Sequence, residues 1–200
     1  DFCQDSNVLH GSVFRMRPLE DVINEIKSFP QKFLFFCDVS LTIDPTYTKA
    51  LFKAMKGMKK RFVCEGNVDV LARDEELLRL SYEAGCTEWT VGFESFAQQA
   101  LDDIKKRTNS IVDYFKVVEN VHKHKMAILG NFMFGFDHDN PEVFNLTQVH
   151  IANLGLDSAR FAILTPYPGT PLFKRLEIEG RILTKIWKYY NRKTVVFKPK

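Results

Sequence analysis

The stretch 62–94, FVCEGNVDVLARDEELLRLSYEAGCTEWTVGFE, decides the fold of this chain. It opens with an apolar run that predicts a strand over 62–70 and continues with a helical pattern over 74–84. It closes with a second apolar run, which predicts a strand over 87–94. A helix between two strands at this spacing is the crossover that joins parallel neighbours in a sheet. The stretch therefore predicts one βα unit and the strand that begins the next.

The same unit recurs along the rest of the sequence. Further strands are predicted over 33–37, 127–137 and 159–165, and helices over 17–29, 45–57, 97–107, 111–124, 141–154 and 171–179. The run 33–37 is apolar throughout, which is typical of a strand buried on both faces. Successive strands begin roughly 25–40 residues apart, which leaves room for a crossover helix each time. The sheet is therefore predicted to be parallel.

Two architectures are consistent with this alternation of strands and helices, a doubly wound open sheet and a barrel. The sequence has no GxGxxG after its first predicted strand and no GxxxxGK[ST], so the defining signals of dinucleotide-binding and P-loop folds are missing. Polar and glycine residues instead follow the predicted strands at their carboxyl ends: Asp38, Asp69, Glu94, Ser95, Gly135, Asp137 and Thr165. A barrel gathers these ends around one mouth, where its active site forms. We therefore predict an α/β fold with a parallel barrel.

The composition bounds the class of protein. The 200 residues are 45% apolar, and 28 basic against 25 acidic residues leave a net charge of +3. This is enough apolar material for the core of one domain, and too balanced a charge to predict binding to nucleic acid. No apolar run approaches the ~18–20 residues of a transmembrane segment, and no leader pattern is visible. We expect a cytoplasmic protein without a transmembrane segment.

The four cysteines divide into two kinds. Cys37, Cys64 and Cys86 lie in or beside predicted strands and are expected to be small buried side chains. Cys3 follows Phe2 in a polar stretch without periodicity. The chain has no CxxC pair, and its five histidines show no zinc-binding spacing. A reducing compartment is favoured, and Cys3 is the cysteine with a candidate chemical role.

Two strings at predicted strand ends carry further signals. In Gly92-Phe93-Glu94-Ser95, the Glu94 carboxylate can accept hydrogen bonds from ribose hydroxyls or an amino group, whereas Ser95 can cap the next helix. Both readings stay open. The string 165–172, TPYPGTPL, holds three prolines and a glycine, which specify a stiff loop before a helix that begins at Pro171.

In their order and spacing these strings resemble the radical S-adenosylmethionine superfamily, in particular the members that carry an upstream cobalamin-binding domain. The superfamily's cluster loop reads C-x3-C-x-aromatic-C after the first strand, and Phe2-Cys3 matches its last two positions. The segments 15–20, 92–95, 135–139 and 160–172 follow in the family's order, so the resemblance covers nearly the whole chain. It implies a partial (β/α)6 TIM-like barrel with parallel strands whose first strand is missing. Residues 1–184 would be the N-terminally truncated core, and 185–200 the start of a C-terminal extension.

The resemblance also implies the cofactors and their ligands. Cys3 would be the catalytic metal ligand that survives from a [4Fe-4S] site, with the other two cysteines upstream of Asp1, so the chain alone is expected to be inactive. The reduced cluster would cleave S-adenosylmethionine to a 5′-deoxyadenosyl radical. The implied cofactor-binding residues are Phe2, Asp38, Glu94, Ser95, Lys106, Gly135, Asp137 and Pro166. Arg107 is the alternative to Lys106 for the methionine carboxylate. At Asp38 the sequence departs from the family's Gly-Gly-Glu-like element.

The expected reaction is hydrogen abstraction that leads to methyl transfer or oxidative chemistry on a bulky, apolar small molecule. Cobalamin, held by a domain outside this chain, is implied for the methyl-transferring members, and a flavodoxin or ferredoxin is the implied electron donor. Two alternatives stay open. One is a cluster-free S-adenosylmethionine- or nucleotide-binding barrel without catalysis. The other is an aldolase-type TIM-barrel enzyme, which needs a strand-end lysine or a His/Asp cluster that the sequence does not show.

Overall fold

A parallel sheet organises residues 14–200, the part of the chain that the computed structural model describes. Its strands within that range are β1 (Phe33–Phe35), β2 (Arg61–Gly66), β3 (Cys86–Glu94), β4 (Ala127–Phe134) and β5 (Ser158–Ile163). They lie side by side in chain order, and each pairs in parallel with the next. The sheet curls into a half-barrel, which confirms the predicted α/β class and partial TIM-like barrel.

Helices cross over between the strands. They are α1 (Leu19–Ser28), α2 (Pro45–Met55), α3 (Val68–Leu71), α4 (Glu75–Ala84), α5 (Gln98–Asp103), α6 (Tyr114–Lys123), α7 (Val143–Leu154) and α8 (Pro171–Ile178). Short 3₁₀ turns occupy Leu41–Ile43, Ile111–Asp113 and Trp187–Tyr189. The side chains of Asp44, Asp74 and Thr170 each accept a backbone N–H from the first turn of α2, α4 and α8. None of the helices within residues 14–200 is long and apolar enough to cross a bilayer.

Alternation along the central strands separates a helix-facing side from a concave side. Phe62, Cys64, Trp89, Val91 and Phe93 are fully buried between the sheet and the helices. The residues between them point the other way, because successive side chains of a strand leave opposite faces. The concave side therefore receives the polar residues of the strands.

Two sequence predictions about the early strands are wrong. The strand predicted over 62–70 ends at Gly66, and Asp69 lies in α3 rather than at a strand end. The chain turns there because the backbone N–H of Asn67 donates to the Thr42 hydroxyl at 2.8 Å and α3 buries Val68 and Leu71.

The strand predicted over 33–37 is not buried on both faces. Phe33 and Phe35 are 56% and 55% exposed, and Cys37 is exposed instead of buried. Within the described range β1 pairs with β2 alone, so it is an edge strand. Cys64 and Cys86 are buried as predicted, with their Sγ atoms 3.8 Å apart.

A second core joins α8 to the end of the chain. Leu172 and Leu176 of α8 pack with Phe136, Val196 and Phe197. An antiparallel bridge connects Ile182 to Phe197. Residues on both sides of the predicted boundary at 184 thus share one core, and the division into domains stays a prediction.

Candidate functional site

A cleft of about 610 Å³ opens on the concave side, at the carboxyl ends of the strands. Polar side chains from four strands line it: Glu65 of β2, Glu94 of β3, Asn131 of β4 and Arg160 of β5. Met133, Ala162 and Ile163 add apolar surface. Charged and apolar residues share the lining, so a concave site of this size can hold a charged cofactor or substrate.

Glu94 and Lys106 form an ion pair at this cleft. The side chain of Glu94 is buried and lies 3.0 Å from the Lys106 ammonium. The pair needs a glycine beside it, because a Cβ at Gly92 would stand 2.5 Å from Glu94 Oε1 and 3.2 Å from Lys106 Nζ. Sequence analysis had named Glu94 and Lys106 separately. The structure brings them together into one unit that presents an anion and a cation.

The backbone at Glu94 is held in an uncommon conformation. Its φ is +66°, and the pairing of β3 with β4 shifts register between Gly92 and Glu94, as at a β-bulge. The Asn109 side chain donates to the carbonyls of Gly92 at 2.8 Å and Phe93 at 3.0 Å. Such strain persists only where surrounding contacts determine it. These hydrogen bonds are such contacts.

Tyr114 completes the support of the bulge. Its hydroxyl donates to the Phe93 carbonyl at 2.5 Å, and its ring meets the Phe93 ring edge-on. Burial raises the pKa of Tyr114, so the hydroxyl stays protonated and remains a donor. Asn109 and Tyr114 are functional candidates that the sequence did not predict. Both lie beyond the strand, so no strand-end signal marks them.

Ser95 does not cap the next helix, because α5 has Ala97 at its N-cap and no side-chain cap hydrogen bond. The Ser95 hydroxyl instead accepts the backbone N–H of Ala97 at 3.0 Å, in the turn before α5. Gly135 follows β4 with a φ of +105°, which glycine adopts without strain. The N–H groups of Gly135 and Phe136 both donate to the carboxylate of Asp139, at 2.7 and 3.0 Å. Cofactor binding by Ser95 and Gly135 stays a prediction.

Asp137 forms ion pairs with two arginines that lie outside the strands. It lies 2.6 Å from Arg181 and 2.7 Å from Arg175, which ties the loop after β4 to α8 and the segment beyond it. Burial alone would raise the pKa of Asp137, but hydrogen bonds from Arg181 and Arg175 outweigh it and lower that pKa to about 2. Its carboxylate therefore stays ionised and links these segments.

The other predicted residues lie in different places. Pro166 is buried at the rim, between the cleft residues Thr165 and Tyr167. Asp38 is exposed and lines a separate cavity of about 550 Å³ beside α1 and β1. Phe2 and Cys3 lie outside the described residues. Within residues 14–200, no group of three or more His, Cys, Asp or Glu side chains could hold a metal ion.

Glu65 and Arg160 are cleft residues that sequence analysis did not single out. Burial raises the pKa of Glu65, and the positive charges of Arg160 and Lys106 partly oppose that rise. Because the strand was predicted to extend to residue 70, Glu65 fell in its middle and was not recognised as a strand-end residue. The alternation of buried and half-buried residues along Arg61–Gly66 is the signal that could have found it.

Residues 1–147 match the sequence model of the Radical SAM superfamily. The chain belongs to the radical SAM superfamily. This superfamily consists of enzymes that use a [4Fe-4S] cluster and S-adenosylmethionine, so the predicted family and enzyme class are confirmed.

Two curated relatives are similar over nearly all of the chain. Bacteriochlorophyllide d C-12(1)-methyltransferase of Chlorobaculum tepidum is 31% identical, across 100% of this chain and 44% of the relative. Anaerobic magnesium-protoporphyrin IX monomethyl ester cyclase of Cereibacter sphaeroides is 25% identical, across 94% of this chain and 31% of the relative. The chain therefore spans less than half the length of either relative.

Solved structures share the fold. The radical S-adenosylmethionine methyltransferase TsrM from Kitasatospora setae, solved with cobalamin and a [4Fe-4S] cluster, superposes with a TM-score of 0.74 at 18% identity. The match covers 82% of this chain and 34% of TsrM. Coproporphyrinogen III oxidase from Escherichia coli gives a TM-score of 0.56 at 15% identity, over 74% of this chain and 36% of the oxidase.

Proposed function

We propose that this chain is the S-adenosylmethionine-binding barrel of a cobalamin-associated radical SAM methyltransferase whose substrate is a large tetrapyrrole-like molecule. The observation that carries the proposal is the 31% identity to a bacteriochlorophyllide methyltransferase along the full length of the chain. The cyclase relative is also named for a tetrapyrrole, magnesium-protoporphyrin IX monomethyl ester. Relatives named for different reactions but similar ring systems favour a substrate of that class.

The residues of the cleft fit S-adenosylmethionine. Its methionine part carries one ammonium and one carboxylate, and the Glu94–Lys106 pair offers one acceptor and one donor of opposite charge. The apolar surface at Met133 and Ile163 suits the flat face of an adenine ring. When bound at a reduced cluster, S-adenosylmethionine supplies a carbon-centred radical or a methyl group for transfer.

Each residue of the pair has a distinct task in this proposal. Glu94 accepts hydrogen bonds from the amino group or the ribose hydroxyls, and Lys106 donates to the carboxylate. Gly92 leaves the space in which both side chains meet. Asn109 and Tyr114 hold the Glu94 backbone, so the carboxylate does not have to be ordered when the cofactor binds.

The remaining predicted roles belong to the same proposal. Cys3 is the cluster ligand in it, and Phe2, Asp38, Ser95, Gly135, Asp137 and Pro166 contribute to the cofactor site. A cytoplasmic location and reduction by a flavodoxin or ferredoxin are further parts. Oxidative ring closure is the second candidate reaction, and the 25% identity to the cyclase favours it.

The test uses the product of the complete reading frame that contains these 200 residues, purified and reconstituted without oxygen. Iron and acid-labile sulfide are measured first, with Cys3→Ala as the control variant. We expect both in the parent protein and a strong loss in the variant. S-adenosylmethionine binding without iron or sulfide in the parent would instead support the cluster-free binding barrel.

Turnover then separates the two reactions. The reduced protein is incubated with S-adenosylmethionine, cobalamin and a tetrapyrrole such as a bacteriochlorophyllide. Formation of S-adenosylhomocysteine together with a methylated pigment supports methyl transfer. Formation of 5′-deoxyadenosine with an oxidised pigment and no methylated product would move the assignment to oxidative chemistry.

A further inference from the structure

One wall of the cleft carries an excess of positive charge. Arg160 of β5 lies on the concave side, in register with Asn131 of β4. Arg192 and Lys193 come from the segment after the 3₁₀ turn at Trp187–Tyr189 and line the same cleft. Two distant parts of the sequence therefore converge to place three cations at one side of the site.

The segment that carries two of these cations is fixed to the sheet. The carbonyl of Arg192 accepts the backbone N–H of Ile163 in β5 at 2.8 Å. The side-chain oxygen of Asn191 accepts the N–H groups of Lys193 and Thr194, at 2.9 and 3.0 Å. Arg192 is held at a φ of +63°, which is strained for a residue with a Cβ. The backbone is therefore strained at Arg192, the position at which this arginine lines the cleft.

Among residues 14–200, Arg160, Arg192 and Lys193 form no ion pair, although the charges of Arg160 and Arg192 oppose the rise that burial causes in the pKa of Glu65. Nearby arginines behave differently, since Arg175 and Arg181 are both paired with Asp137. Of the two acids in the cleft, Glu94 is already paired with Lys106. Glu65 is the remaining acid of the cleft lining, and a single carboxylate offsets the charges of Arg160, Arg192 and Lys193 only in part.

We propose that this wall binds a carboxylate of the substrate, while the Glu94–Lys106 pair holds the cofactor. The inference rests on the proposed function and narrows it to tetrapyrroles that carry at least one free acid group. Arginine suits the task because its planar guanidinium binds carboxylates through two parallel hydrogen bonds. The apolar surface at Ala162, on the same side of β5 as Arg160, would contact the ring system.

The experiment compares protoporphyrin IX, which has two free carboxylates, with its dimethyl ester. Binding to the complete gene product is measured by porphyrin fluorescence, and S-adenosylmethionine binding by calorimetry. The variants are Arg160→Gln, Arg192→Gly and the control Lys174→Gln, which removes an exposed cation of α8 outside the cleft lining. Glycine at 192 deletes the cation and adopts the positive φ without strain, so this variant should keep the melting temperature of the parent.

We expect the diacid to bind the parent about tenfold or more tightly than the ester, the scale of one charge-assisted hydrogen bond. Arg160→Gln and Arg192→Gly should weaken diacid binding by a similar factor and leave ester binding and S-adenosylmethionine binding unchanged. Lys174→Gln should change none of them. Weaker binding by a variant that keeps the melting temperature of the parent would exclude damage to the fold as the cause.

Three results would overturn the inference in different ways. Equal binding of acid and ester by the parent would remove the carboxylate site and leave the tetrapyrrole assignment in place. Loss of S-adenosylmethionine binding in Arg160→Gln, with porphyrin binding intact, would reassign the wall to the cofactor. Failure of both porphyrins to bind would refute the carboxylate site and the tetrapyrrole substrate together, while cofactor binding would still show a radical SAM barrel.

Discussion

Removal of the Asn109 amide should damage both stability and the position of Glu94. The side chain is 5% exposed and donates to the carbonyls of Gly92 and Phe93. Asn109→Ala deletes these two hydrogen bonds, each of which contributes about 1 kcal/mol net. Tyr114 still donates to the Phe93 carbonyl, so Gly92 is the residue whose carbonyl loses this donor. The expected loss in unfolding free energy is about 2–3 kcal/mol, with a melting temperature about 4–12 °C lower.

Loss of the two Asn109 hydrogen bonds should also weaken binding of the cofactor. The positive φ of Glu94 costs on the order of 1–3 kcal/mol and persists because neighbouring groups hold it. Without Asn109 the strand can relax toward extended backbone, which moves the carboxylate away from Lys106. The dissociation constant for S-adenosylmethionine, measured by calorimetry on the complete gene product, should rise about tenfold, which equals 1.4 kcal/mol.

Asn120 provides the matched control. It is also 5% exposed, and its amide donates to the carbonyls of Leu71 at 3.3 Å and Ala72 at 3.0 Å, away from the cleft. Asn120→Ala should lower the melting temperature by a similar amount and leave cofactor affinity unchanged. If Asn109→Ala and Asn120→Ala lose similar stability and both bind S-adenosylmethionine like the parent, the idea that the bulge positions Glu94 is refuted.

Three further predictions concern the same elements. Lys106→Gln should raise the dissociation constant for S-adenosylmethionine about tenfold in calorimetry through loss of a charge-assisted hydrogen bond, and an unchanged value would separate Lys106 from the cofactor. Gly92→Ala should weaken cofactor binding in the same assay, because its Cβ would stand 2.5 Å from the Glu94 carboxylate and force the pair apart; parent-like affinity would mean that the pair can shift without loss. Asp137, whose folded pKa of about 2 lies below the ordinary aspartate value of 3.8, should contribute about 2 kcal/mol of stability that is fully present above about pH 4 and lost as the pH falls through about 2. Urea unfolding of parent and Asp137→Asn across this range should show the difference shrinking with acidity, and a constant difference would contradict the link to Arg181.

The sequence predicts strands and helices well where local signals are strong. Asp74 and Thr170 cap helices whose starts were predicted within a residue, because capping depends on the residue's own neighbours. Strand ends were predicted less well. The chain leaves β2 at Gly66 because Asn67 bonds to Thr42, 25 residues earlier, and no local pattern reports such a contact.

The residues of the candidate site also differ in whether a local sequence signal or a long-range contact determines them. Glu94 was predictable because a strand-end carboxylate before a helix is visible in the sequence. The contacts of Glu94 were not predictable, since Lys106 reaches it from beyond α5 and Asn109 donates to the neighbouring Gly92 carbonyl from 17 residues further along the chain. Arg192 was the hardest to foresee. Its place at the cleft follows from one backbone hydrogen bond to Ile163, made by a segment with no strand of its own.

The distribution of charge offers a reason why the proposed cofactor and substrate sites can share one cleft and still bind different ligands. The Glu94–Lys106 pair is neutral overall, and it therefore complements a zwitterionic amino acid group better than a lone acid. The wall at Arg160 and Arg192 keeps a positive charge that Glu65 offsets only in part, so it attracts an acid more strongly than a zwitterion. Specificity then comes from the difference between the two walls as much as from the contacts at either. Because Glu94 and Arg160 lie on parallel strands of one sheet, the separation of these two residues is set by the fold and does not depend on which ligand binds first.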